Sequence, residues 1–254
     1  MIKKVTNIPA RNGRYMYAII PGAQERSFGS IGINGAKVYT ICVGEAAAVV
    51  SDAPNGKIRP ERRNFAAHQA VLKTLVEEGD LLPMSFGNIS SNGSAVKDFL
   101  AKNNSSISKA LKRISGKIEM GLRVNLDVPN IFEYLVTTYD ELRIARDELI
   151  RPNREPSQDD KIELGRLFQN ILDSARDQHF ETVSKSLAVC CSEIKKNKCR
   201  DEREVMNLAC LINRGAVEKF EDGVFKAASL FDDNFAFDYN GPWAPHNFVD
   251  LEIK

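Results

Sequence analysis

From Lys117 to Asp127 the chain alternates without a break. Ile118, Met120, Leu122, Val124 and Leu126 interleave with Lys117, Glu119, Gly121, Arg123, Asn125 and Asp127. A period of two predicts a strand with one apolar and one wet face, as in a sheet covered by helices on one side only. Residues 15–20 behave differently. They are apolar on both alternating sets and stop at Pro21-Gly22, which predicts a strand buried on both faces. A second β-branched and aromatic run, Lys37 to Val43, ends at Gly44. Between these runs Gly29, Gly32 and Gly35, with Asn34, mark a turn-rich excursion, and Pro54-Asn55-Gly56 and Pro60 punctuate a loop.

After Pro60 the period lengthens. Phe65, His68, Leu72 and Leu75 lie three or four apart and Gly79 follows, predicting a helix over 61–78. Leu81 to Gly87 is a short apolar segment that Pro83 confines to a sheet edge or an extended loop. Val96, Leu100, Ile107, Leu111 and Ile114 predict a helix over 94–114, ended by Gly116. Beyond the alternating strand, Pro129 suits a helix start, and Ile131, Leu135, Thr138, Leu142, Ala145 and Leu149 form its stripe up to Arg151-Pro152. Ser157 reads as the next N-cap with Asp160 three residues on. The stripe then runs through Leu164, Phe168, Ile171, Ala175, His179, Val183 and Leu187. A strand over 188–195, a hairpin into 204–213, a helix over 215–230 and an aromatic strand over 234–240 complete the chain.

The order from Lys117 is β-α-β-β-α-β, the split βαβ of a ferredoxin-like domain, with a long first crossover interrupted at Pro152–Pro156. The expected fold class is α+β with two domains. Residues 1–115 form an N-terminal α+β domain and residues 116–254 a C-terminal ferredoxin-like domain.

Composition narrows the function classes. Of 254 residues, 43% are hydrophobic and 27% charged, enough apolar material for a core. Lys plus Arg number 35 against 34 Asp plus Glu, so the chain offers no global field for phosphates, and no nucleic acid is expected as partner. The start, Met1 to Pro9, has no apolar stretch of a secretory leader, and no run approaches the roughly 20 apolar residues of a membrane helix. The odd set Cys42, Cys190, Cys191, Cys199 and Cys210 suits buried thiols of a cytoplasmic protein. Asn-x-Ser/Thr matches at Asn88, Asn92 and Asn103 then have no glycosylating compartment.

Chemical motifs do not emerge. The chain lacks G-x-x-x-x-G-K-[ST], and its G-x-x-G-x-x-G precedes a strand rather than opening a helix. It has no C-x-x-C or H-E-x-x-H, and Cys190 and Cys191, placed on a strand, are expected to point to opposite faces. His68 and His179 lie in helical stripes and His246 in the C-terminal loop, none with a visible partner. Two basic clusters, Lys57, Arg59, Arg62, Arg63 and Lys195, Lys196, Lys198, Arg200, lack interleaved aromatics. The second runs directly into Asp201, Glu202 and Glu204, as a solvated hairpin tip does. No catalytic, cofactor or metal residues are assigned.

Three stretches carry a resemblance. They are Arg59-Pro60-Glu61-Arg62-Arg63-Asn64-Phe65-Ala66-Ala67-His68 with Leu82-Pro83-Met84-Ser85-Phe86-Gly87; Gly116-Lys117-Ile118-Glu119-Met120; and Asn207 to Arg214 leading to Gly241-Pro242-Trp243-Ala244-Pro245-His246-Asn247-Phe248-Val249. In this order they resemble the gas vesicle protein F/L family (GvpF/GvpL), nearest to its cyanobacterial-type GvpF members. His246-Asn247 stand where that family more often has Tyr-Ser, and Ile212-Asn213 where it has Leu-Val. The resemblance implies a protein needed for gas vesicle formation and buoyancy, located at the gas vesicle or in the cytoplasm. It implies an assembly factor or minor structural component that contacts the shell protein GvpA and other gas vesicle proteins, with no enzymatic activity or cofactor. The motif residues Arg59, Pro60, His68, Pro83, Phe86, Gly87, Glu119, Gly241, Pro242 and Trp243 are expected to serve architecture, because Gly, Pro and Trp usually answer backbone and packing demands. The alternative reading is a ligand-sensing ferredoxin-like regulatory module.

Overall fold

The computed structural model describes residues 13–151 and 155–250; the expectations for Met1 to Pro9 and for Pro152 lie outside them. The first unit opens with β1 (Gly13–Pro21), β2 (Ser27–Gly29), β3 (Val38–Val43) and β4 (Ala46–Ala53), followed by α1 (Arg62–Glu78). It continues with the short β5 (Leu82–Pro83) and β6 (Ile89–Ser90), then α2 (Gly93–Lys102) and α3 (Asn104–Ile114). The strand order is β2-β3-β4-β1-β5, with β6 also pairing β1.

β1 is central and buried on both faces, as its double apolar pattern predicts. Met16 and Ile19 pack with Ala46, Ala48 and Val50 of β4 and with Val96, Leu100, Ile107 and Ile114 of α2 and α3. Tyr15 and Tyr17 meet His68 of α1 instead. The register of β1 on β4 slips between Met16 and Ala18, a bulge that inserts Tyr17 as an extra residue.

Two expectations for this unit need correction. β4 escapes notice because its start, Ala46-Ala47-Ala48, is not β-branched; it forms because a two-residue turn at Gly44-Glu45 returns the chain onto β3, with Val43 opposite Ala46. The single helix expected over 94–114 is two helices broken at Asn103. This residue is buried and turns its Nδ2 back onto the Phe99 carbonyl at 2.9 Å, competing with the helical ladder.

The second unit contains β7 (Lys117–Leu126), α4 (Ile131–Thr138), α5 (Asp140–Leu149), α6 (Gln158–Leu187), β8 (Cys191–Lys196), β9 (Glu204–Asn213), α7 (Val217–Ala228) and β10 (Phe235–Trp243). Its sheet runs β10-β7-β9-β8. Numbered within the unit, that order is 4-1-3-2, the interleaving of two split βαβ halves. Ile118, Met120, Leu122, Val124 and Leu126 are all at most 4% exposed, as the alternation predicts.

The crossover helix is broken twice. The expected helix up to Arg151 splits at Tyr139 (φ −117°, ψ 109°), just after the weak helix formers Thr137-Thr138. α6 opens on a complete capping box, the Ser157 hydroxyl accepting from the Asp160 amide and the Asp160 carboxylate from the Ser157 amide. The strand expected from 188 begins only at Cys191, because α6 persists to Leu187 and a turn intervenes.

The units are not consecutive in sequence. Residues 13–119 group with 242–250, and residues 120–241 form the other unit. The sequence expectation ran the second domain from 116 to 254, whereas the C-terminal segment returns to the first unit. There Phe248 is 1% exposed and Val249 packs on the cluster of Met16, Ile19 and Leu82.

Candidate functional site

Three family-motif residues of the first unit, His68, Phe86 and Gly87, converge on a polar–aromatic knot. The Tyr15 hydroxyl lies 2.9 Å from His68 Nδ1 and accepts from the Gly87 amide at 3.0 Å. The Tyr17 hydroxyl accepts from the Ile33 amide at 2.9 Å and lies 3.0 Å from Ser51 Oγ. The His68 ring stacks on Tyr17 at 5.6 Å and meets Phe86 edge-on at 5.8 Å, while Phe86 stacks on Phe65 at 4.1 Å. Burial drives the His68 pKa down to about 4; repulsion from the His246 imidazole adds to this and the Met84 backbone works against it. Burial also pushes the Tyr15 hydroxyl up to about 12. Neutral imidazole against neutral phenol is therefore the resting state. This is a structural junction of β1, α1 and the Phe86-Gly87 turn, where Gly87 holds φ at +91°.

Arg59 and Pro60 sit at the entrance of α1 with exposed side chains. The Arg59 carbonyl accepts from the Asn64 side chain at 2.9 Å and from the Glu61 amide at 2.8 Å. Pro83 pairs with Ala18 at the sheet edge. Glu119 belongs to a second cluster. Only 7% exposed, it accepts from both the backbone amide (2.9 Å) and Nδ2 (2.7 Å) of Asn247, clasping the C-terminal segment. Gly241 turns at φ +135° and Pro242 follows it, but Trp243 remains 43% exposed. The buried anchor of that segment is Phe248 rather than the tryptophan.

In the second unit, Cys190 and Cys191 are not on opposite faces. Cys190 lies in the turn before β8, and the two Sγ atoms are 3.8 Å apart. Burial, with the neighbouring Cys191, pushes the Cys190 thiol up to about 12; the Cys210 thiol and burial push Cys191 up as well, so both favour the protonated form. Of the basic clusters, Lys196 pairs with Asp177, and the Arg200 amide donates to the buried Glu204 carboxylate at 2.7 Å. Among the described residues no group of three or more His, Cys, Asp or Glu is placed to hold a metal. No described helix is long and apolar enough to cross a membrane.

His179, placed in a helical stripe by the sequence, borders a cavity. It faces a space of about 270 Å³ between α4, α6, the β-sheet and the turn after α7. Its neighbours there, Tyr134, Tyr139, Phe231 and Asp232, belong to no motif, and only their aromatic and acidic character hinted at a site. The surface of this unit also leaves Val189 84%, Phe225 65% and Leu230 63% exposed.

The fold is that of solved gas vesicle proteins. The crystal structure of GvpF from Anabaena sp. PCC7120 matches with a TM-score of 0.81 over 95% of this chain and 99% of that one, at 22% identity. GvpF from Microcystis aeruginosa gives 0.79 over 94% and 99%, at 21% identity. Curated relatives include Gas vesicle protein F of Dolichospermum flosaquae, 23% identical over 94% of this chain and 98% of its own. Gas vesicle protein F of a Streptomyces strain is 25% identical over 93% and 99%. The family described as "Gas vesicle synthesis protein GvpL/GvpF" matches residues 13–250, and the chain belongs to that family.

Proposed function

We propose that this gas vesicle protein works as a binding surface for the shell protein GvpA, as an assembly factor or minor component at the growing vesicle or in the cytoplasm, without catalysing a reaction. A subunit destined to face gas carries apolar surface that aggregates unless covered, so a partner must offer apolar surface or an open strand edge in return. The observation that carries the reading is the exposure of Val189, Phe225 and Leu230 around α7, large apolar side chains that no core claims. The edge strands support it too. β8 guards its edge with Glu193, Lys195 and Lys196, whereas β10 from Phe235 to Gly241 carries a single charge, Asp238, and stays open to strand addition.

The test is genetic complementation. In cells lacking this gene, the wild-type chain restores vesicles, counted by electron microscopy. Phe225→Asp with Val189→Asp, both on exposed positions that leave the core intact, is expected to restore few or none while accumulating as folded protein. Full restoration by that double variant removes the α7 surface from the account.

A further inference from the structure

We infer that the cavity of the second unit is a binding site for a small amphiphile with an apolar body and a cationic head, an alkyl- or arylalkyl-ammonium, seated body first. The shell-binding reading does not require this site, although Leu230 and Phe235 border both. Its floor is apolar and comes from four elements: Leu126 of β7, Leu135 of α4, Leu172 and Ala175 of α6, and Val205 of β9, none more than 6% exposed. The volume of about 270 Å³ equals roughly nine liquid waters at about 30 Å³ each, enough for a benzene-sized body and a short linker.

The rim has the opposite character. Phe231 and Phe235 lie 5.0 Å apart and each packs on His179, at 5.1 and 5.0 Å, while Tyr134 closes the wall edge-on to Phe235 at 6.4 Å. Electron-rich ring faces attract a cation. Asp232 stands exposed at the same rim, its carboxylate accepting from the Asn234 amide at 2.9 Å, and among the described residues no lysine or arginine forms an ion pair with it.

The other charged group there is partly engaged. Arg176 donates through Nη2 to the Asp201 and Glu204 carbonyls and through Nη1 to Asp173, whose carboxylate offsets its charge, while its Nε is buried without a hydrogen-bond partner. With Arg176 paired to Asp173, Asp232 is the charged group of the lining left for a cation. A lysine side chain of a partner protein fits poorly, since it would carry its ammonium first into the apolar floor.

The test titrates the full chain with 2-phenylethylammonium, neutral 2-phenylethanol and anionic phenylacetate, followed by amide shifts in two-dimensional NMR. Shifts are expected at residues around His179 and Phe231. The ammonium should bind about threefold to tenfold more tightly than the alcohol, the range of an exposed ion pair with added ring contact, and the carboxylate most weakly. Asp232→Asn, an exposed change that keeps the Asn234 contact, should bring the ammonium down to the affinity of the alcohol. Ala175→Leu, which fills the floor, should abolish all three. Equal or tighter binding of phenylacetate, indifference to Asp232→Asn, or no shifts at cavity residues each overturns the inference. So does a Leu-Lys peptide that binds where the free ammonium does not, since the occupant would then be a protein segment.

Discussion

His68 shows how one buried side chain sets a pH limit. Its imidazole is held neutral, with a pKa of about 4 against an ordinary 6.5, so between those values the unfolded chain binds more protons than the folded one. Stability contributed by the neutral form is complete above about pH 7 and is lost as pH falls; by pH 5 the loss amounts to about 2 kcal/mol. Urea unfolding at pH 7.5 and pH 5 should reveal it, with a smaller difference in His68→Gln. An NMR titration should find the His68 ring neutral down to about pH 4. A ring that protonates near pH 6.5 contradicts the burial argument.

The Tyr15 hydroxyl is the partner that closes the knot. Tyr15→Phe leaves His68 Nδ1 and the Gly87 amide without it, which should cost about 1–3 kcal/mol in the same unfolding assay, with little change in fold. At this scale the sequence was partly legible. The motif named His68, Phe86 and Gly87, but Tyr15, which contacts all three, and Tyr17, which stacks on His68, read only as members of an apolar strand. The reason is physical: a tyrosine advertises its ring through hydrophobic periodicity, while the partner of its hydroxyl is fixed by tertiary contact.

Elements were legible where one period dominated. The alternation of β7 and the stripe and cap of α6 appear in the structure as their patterns require. Legibility failed where a single residue outweighed the pattern, as at Asn103 and Tyr139, or where alanines formed a strand because a tight turn placed them beside one. The C-terminal segment is the largest such case. Its attachment to the first unit rests on Phe248 and on the two hydrogen bonds from Asn247 to Glu119, neither of which any periodicity announces. Asn247→Ala keeps the backbone bond and removes one donor to a buried carboxylate, worth about 1.5–3 kcal/mol, so amide exchange over 244–249 should quicken at least tenfold. Asn247→Asp, which sets two carboxylates together, should be worse. Unchanged exchange in both variants would mean that apolar packing, through Phe248 and Val249, holds the segment.

At the scale of the whole molecule, the α+β class, the ferredoxin-like strand order and the family were readable from the chain, and the cavity beside His179 was not. Pockets arise where elements distant in sequence leave space, and no local pattern encodes space. Family membership makes this a gas vesicle protein, and its exposed apolar side chains suit the cover of an aggregation-prone shell subunit. The most direct measurement is affinity capture of the tagged full chain from cells co-expressing GvpA, with GvpA identified and quantified by mass spectrometry. The account predicts stoichiometric recovery of GvpA with the wild-type chain and at least a tenfold loss with Phe225→Asp/Val189→Asp. Recovery no greater than that from a tagged unrelated protein would contradict it.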